Sequence, residues 1–107
     1  MAVDWLATVQ EHGEIVQRMA ATVPEVLSDP DLTFDQASLL YRDVEQGAQD
    51  FDKILEHMGE VDVDEALVEA AEALETIWAR LSVATANRVR TMRGLDPIEF
   101  AEDKSKD

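Results

Sequence analysis

Apolar residues recur three and four apart along most of this chain. From Phe34 they run through Ala37, Tyr41, Val44, Ala48, Phe51, Leu55 and Met58 without a break. That rhythm is one continuous seam along a helix. Trp5, Val9, His12, Val16, Met19 and Val23 keep it in a first helix, and Leu67, Ala70, Leu74, Ile77, Leu81 and Ala84 in a third, with Trp78 beside them. No segment alternates with period two, so no strand is predicted.

Polar punctuation divides the three seams. Thr33-Phe34-Asp35-Gln36 reads as a capping box, with hydroxyl and carboxamide answering each other's backbone amides. Asp62-Val63-Asp64-Glu65 opens the third helix with Asp as its cap. Gly59 and Gly94 stand where a left-handed residue would end a helix. Ser28-Asp29-Pro30-Asp31 reads as a turn, and Pro24 as a break in the first helix or its end. Asp96-Pro97-Ile98-Glu99 predicts a short terminal helix with Pro97 at its first position.

The expected fold is all-α: an antiparallel three-helix bundle with a long third helix and a short C-terminal one. At about 30 residues the third helix would reach ~45 Å. Val83, Val89 and Met92 at its overhanging tip would need a cover, from Ile98–Phe100 folding back or from another subunit. One domain over residues 1–103 is expected, followed by a flexible tail at 104–107.

Composition narrows the function classes. Apolar residues make up 46% of 107, enough for a core, and the absence of cysteine excludes disulfides and thiolate metal sites. No apolar run approaches the ~20 residues of a membrane span. The start MAVDWLATVQEH lacks the basic and apolar regions of a secretory signal. A soluble, cytoplasmic protein is the expectation, a viral component being the other setting considered.

Charge changes the picture most. The net charge is −15. Residues 1–79 hold nineteen acids and three bases, whereas RLSVATANRVRTMRG, 80–94, holds four arginines and no acid. Such a body repels nucleic acid and anionic membranes and favours basic partners or another copy of itself. A solvated surface, adaptation to high salt and imitation of DNA phosphates by carboxylates are all consistent with it. The arginines also suit a helix C-terminus electrostatically.

The stretch DVDEALVEAAEALETIW, 62–78, crowds acids onto one helix. Glu65, Glu69 and Glu72 fall within ~60° of one another, opposite the Leu67–Leu81 stripe. They read as a solvated face unless a second helix brings more carboxylates alongside. YRDVEQGAQDFDKIL supplies candidates in Asp43, Glu45, Asp50 and Asp52.

In its order of elements, the region 38–106 resembles the all-α nucleotide pyrophosphohydrolases of the MazG type. Glu45-Gln46-Gly47-Ala48 stands where that family has ExxE, and Glu69-Ala70-Ala71-Glu72 where it has ExxD. The resemblance implies Mg²⁺ held against a nucleoside triphosphate, with Glu45, Glu69 and Glu72 as ligands. The chain departs from the pattern in two places: Ala48 replaces the second ExxE carboxylate, and Glu72 the ExxD aspartate. Losing one ligand weakens a Mg²⁺ site, so a non-catalytic relative is equally implied.

Gly-rich phosphate loops and nucleophile elbows are absent. His12, in the first seam, reads as a core-edge histidine or a ligand, and His57 as a cation near a helix end. Trp5 and Trp78 read as core anchors or interface hot spots. Gly47 and Ala48 form a small-residue surface suited to close helix approach. The function expected is that of a non-enzymatic acidic interaction or assembly protein. It would need no cofactor and would form a homo-oligomer or dock a basic protein. Arg88, Arg90, Arg93, Trp5, Trp78, Met92 and Phe100 are its interface candidates. The alternatives are the Mg²⁺-dependent pyrophosphohydrolase and a DNA-mimic inhibitor.

Overall fold

A computed structural model describes residues 4–98. Three helices follow one another: α1 (Trp5–Leu27), α2 (Phe34–Gly59) and α3 (Glu65–Met92). The architecture is the all-α three-helix bundle that the seams predict.

Each helix starts on a side-chain cap. Asp4 accepts from the Ala7 amide at 3.1 Å. Thr33 and Gln36 form the expected box at 3.1 and 3.0 Å, and Asp64 accepts from Ala66 at 2.9 Å. Each removes one or two of the orphan donors of a first turn. The turn between α1 and α2 closes where expected: the Leu32 amide donates to the Asp29 carbonyl and the Asp31 amide to the Asp29 carboxylate. Leu32 is buried beneath it.

Two boundaries differ from expectation. Pro24 neither breaks nor ends α1, which runs on to Leu27. Pro24 is exposed, and its own carbonyl still accepts from Ser28. Buried Val23 and the packed Leu27 hold this last turn on the core, so tertiary contact outweighs one lost backbone bond. Gly59 remains the last residue of α2, and Glu60 caps it at φ −88°. Among the described residues only Gly94 takes positive φ, at 75°. There the Leu95 amide reaches the Arg90 carbonyl and the Gly94 amide that of Thr91, the paired bonds of a Schellman ending.

The core is a strip of Val9, Val16 and Val23 from α1, Val44, Phe51 and Met58 from α2, and Ala71, Trp78 and Leu81 from α3. In α2 the buried residues, Ala37, Val44, Phe51 and Met58, fall on the predicted seam. In α3 the buried line is Ala71, Trp78, Leu81 and Thr85, while Ala70 and Ala84 are exposed. The stripe is turned because α3 must face two helices. Leu74 meets α1 near Gly13, and Trp78 meets α2 at Gly47. The buried Thr85 hydroxyl donates to the Leu81 carbonyl at 2.8 Å, so it leaves no orphan in the core.

α2 and α3 pack most extensively, α1 leans mainly on α3, and α1 touches α2 little. The result is open. Its extents are 48 × 34 × 19 Å and its radius of gyration 15.7 Å, against roughly 13 Å for a compact chain of 100 residues.

The tip of α3 is not bare. The Asn87 side-chain amide donates to the Ile98 carbonyl at 2.9 Å, and the Ile98 amide donates back to Asn87 Oδ1. Ile98 shares a small cavity of about 190 Å³ with Tyr41, Ala86, Val89 and Arg90. The fold-back considered for Ile98 is therefore present. Pro97 and Ile98 are not helical. The rest of the predicted terminal helix, Phe100 and the 104–107 tail lie outside the described residues.

Candidate docking groove

Gly47 and Trp78 set the distance between α2 and α3. A Cβ on Gly47 would stand 2.4 Å from Trp78 Cη2 and 2.8 Å from Cζ3. Only a glycine lets the six-membered edge of the indole lie against the α2 backbone. The missing side chain costs roughly 0.5–1 kcal/mol of helix stability relative to alanine. Burying the ring, which is 3% exposed, offsets that several times over. Trp78 Nε1 is buried with no acceptor among the described residues.

Beside this contact a groove runs along the α2/α3 seam. Glu45, Ala48, Gln49 and Asp52 line it from α2, and Glu75, Thr76, Trp78, Ala79 and Ser82 from α3, with Phe51 behind. Its volume is about 510 Å³. Farther along the same seam a second hollow of about 250 Å³ is lined by Leu55, Met58, Gly59, Val68, Glu72 and again Glu75. Glu75 joins the two. Small and apolar residues form the floor, and four carboxylates stand along the length. Neither lining contains lysine, arginine or histidine.

The charge there is close to unfavourable. Glu75 is pushed above the usual 4.5, first by partial burial, then by the negative charge of Asp52. A hydrogen bond to Asp52 that needs one carboxyl protonated adds to this, and so does the charge of Glu72. Asp52 and Glu75 thus bring two acids from two helices to the lining of one hollow, where their charges oppose each other. Glu75 was not among the residues singled out from sequence. Asp52 and Glu75 lie nearly equidistant from the turn before α3, as partners in an antiparallel hairpin must. That symmetry is the signal that would have paired them.

The three carboxylates implied as metal ligands are spread out. Glu45 lines the larger hollow and Glu72 the smaller, while Glu69 is exposed and lines neither. Among the described residues no group of three or more His, Asp or Glu side chains is placed to hold a metal ion.

The arginines at the end of α3 are largely used within the chain. Arg90 Nε donates to the Asp96 carbonyl at 2.7 Å. The Arg93 guanidinium lies 6.0 Å from the centre of the Phe34 ring, at the outer range of a cation–π contact. Arg88 is half-buried, with Nε unpartnered among the described residues. Met92 is half-buried, and Trp5 packs against the edge of the core. His12 packs on Phe51 with ring centres 5.6 Å apart, and His57 Nδ1 donates to the Lys53 carbonyl at 2.8 Å. His12 thus contacts the core, whereas His57 is exposed and bonds to the backbone of its own helix.

No helix among the described residues is long and apolar enough to cross a membrane. No protein-family model matches the chain, and no characterised protein or solved structure is significantly similar to it.

Proposed function

We propose that this chain is a non-enzymatic acidic interaction protein that works by docking a basic partner or a second copy of itself. The observation that carries the reading is the α2/α3 groove. It combines an apolar floor with Glu45, Asp52, Glu72 and Glu75 and no basic residue in its lining. A groove of that kind gains by being covered, because burial of its floor is favourable and a cation relieves the acids.

Two measurements on the purified chain test this. Light scattering gives its mass in solution, and an assay with Mg²⁺ follows pyrophosphate release from nucleoside triphosphates. The reading expects no turnover. It also expects either a mass above 11.9 kDa or a monomer that binds a basic helical peptide. If copies pair through the acidic body and the arginine end, changing Arg88, Arg90 and Arg93 to Glu lowers the mass. Turnover that disappears in Glu69→Gln would overturn the reading in favour of a pyrophosphohydrolase. A monomer that binds no basic peptide would overturn it too.

A further inference from the structure

We infer that the α2/α3 groove seats one basic amphipathic helix of a partner protein, which completes a four-helix bundle. The inference rests on the docking function proposed above and adds the surface and the chemistry of the occupant.

Shape comes first. From Glu45 to Met58 the groove follows α2 for thirteen residue steps, or ~20 Å at 1.5 Å per residue. That length accommodates nearly four turns of a helix. Ala48, Ala79 and Ser82 keep the walls low, so another helix can approach to the usual axial separation of about 8–10 Å. Leu55 and Val68, both half-buried, give its apolar face something to bury.

Charge selects the occupant. Glu45 and Asp52 are seven residues, two turns, apart on α2, and Glu72 and Glu75 are one turn apart on α3. A helix with small apolar residues along one seam and Lys or Arg on both flanks matches this pattern, like the charged flanks of a coiled-coil seam. A cation beside Asp52 and Glu75 offsets the partial burial, and then the like charge, that act on Glu75. A second copy is a poorer fit. The chain's own arginine-rich segment is part of α3, with Arg90 tied to Asp96 and Arg93 set over Phe34. Two bodies of net charge −15 also repel each other.

The test uses the full chain carrying Trp5→Phe, so that Trp78 in the groove is the only tryptophan. The probe is an 18-residue synthetic helix with Leu and Ala on one seam and Lys on both flanks. One control peptide carries Glu on the flanks, and another has the Lys peptide's composition scrambled. Only the amphipathic Lys peptide is expected to shift Trp78 emission saturably, with affinity falling as salt rises. Ala79→Arg and Glu45→Lys, on opposite walls and both checked for native helicity, should each weaken binding about tenfold or more.

Equal binding of the scrambled peptide or of the Glu-flanked peptide would overturn the inference. Binding seen by calorimetry but unchanged by both substitutions would move the site elsewhere and leave the docking function standing. A dimer that Ala79→Arg converts to monomer would overturn the inference of a partner helix, because the occupant is then a second copy, and leave the docking function standing. A monomer that binds no peptide removes both the inference and the function beneath it.

Discussion

Gly13 and Gly47 hold similar places. Each lies inside a helix and faces α3 across an interface. A Cβ on Gly13 would meet Leu74 at 3.7 Å, an ordinary contact, but one on Gly47 would run into the Trp78 ring at 2.4 Å. The α1/α3 contact therefore has room for a methyl group, and the α2/α3 contact has none. The neighbour's shape, and not the residue type, decides whether a helical glycine is spare or required. A flexible leucine end adapts to what faces it. A buried indole wedged between two backbones does not.

Four substitutions break or sharpen this contrast. The largest effect is expected at Trp78→Ala, which empties the tight interface. Loss of a buried aromatic costs about 3–5 kcal/mol, a large part of the ~5–15 kcal/mol that holds a small domain together. Chemical denaturation followed by circular dichroism should show a midpoint collapse or no folded baseline.

Gly47→Ala comes next, with an overpacking loss of about 1–3 kcal/mol. In a Trp78→Leu background the same change should be much milder. Additive losses in that double-mutant cycle would show that the two residues do not meet.

Gly13→Ala has the opposite sign. It should gain about 0.5–1 kcal/mol from helix propensity, raising Tm by a few degrees in a calorimetric scan. A lower Tm would mean that the α1/α3 contact is as tight as its counterpart.

Glu75→Gln is the mildest. Because the folded-state pKa of Glu75 lies above the usual 4.5, its ionised form burdens the folded state. That part of the stability is lost as pH rises from about 4.5 through its folded pKa. The substitution should flatten this pH dependence of Tm and leave the chain slightly more stable at neutral pH, within about 0.5 kcal/mol for so exposed a site. An unchanged pH profile would count against the Asp52–Glu75 contact.

How far the sequence could be read follows the range of the interactions. Thr33 and Gln36, three residues apart, form the box they suggested, and the α2 seam is buried at the positions its spacing marks. Gly59 and Gly94 looked alike, yet only Gly94 turns left-handed, where Leu95 can reach back to Arg90. The Asp4 cap passed unread because it lies at the very start of the first seam. The α3 stripe came out rotated, since periodicity reports one apolar face and α3 serves two neighbours. The groove was least legible. Asp52 and Glu75 are 23 positions apart and Gly47 and Trp78 are 31 apart, so neither pair exists until the hairpin register is known. The small-residue surface at Gly47 and Ala48 was visible, but the indole that uses it was not.

Asn87 has a consequence of another kind. Its carboxamide offers Ile98 one donor and one acceptor, as the backbone of a neighbouring strand would. Ile98 belongs to no helix and is exposed, yet its amide proton is held by a group rooted in α3. In deuterated water that proton should outlast that of Asp96. Its exchange should keep time with the opening of the last turns of α3. One amide outside the helices thereby becomes a clock for the fraying of the longest one.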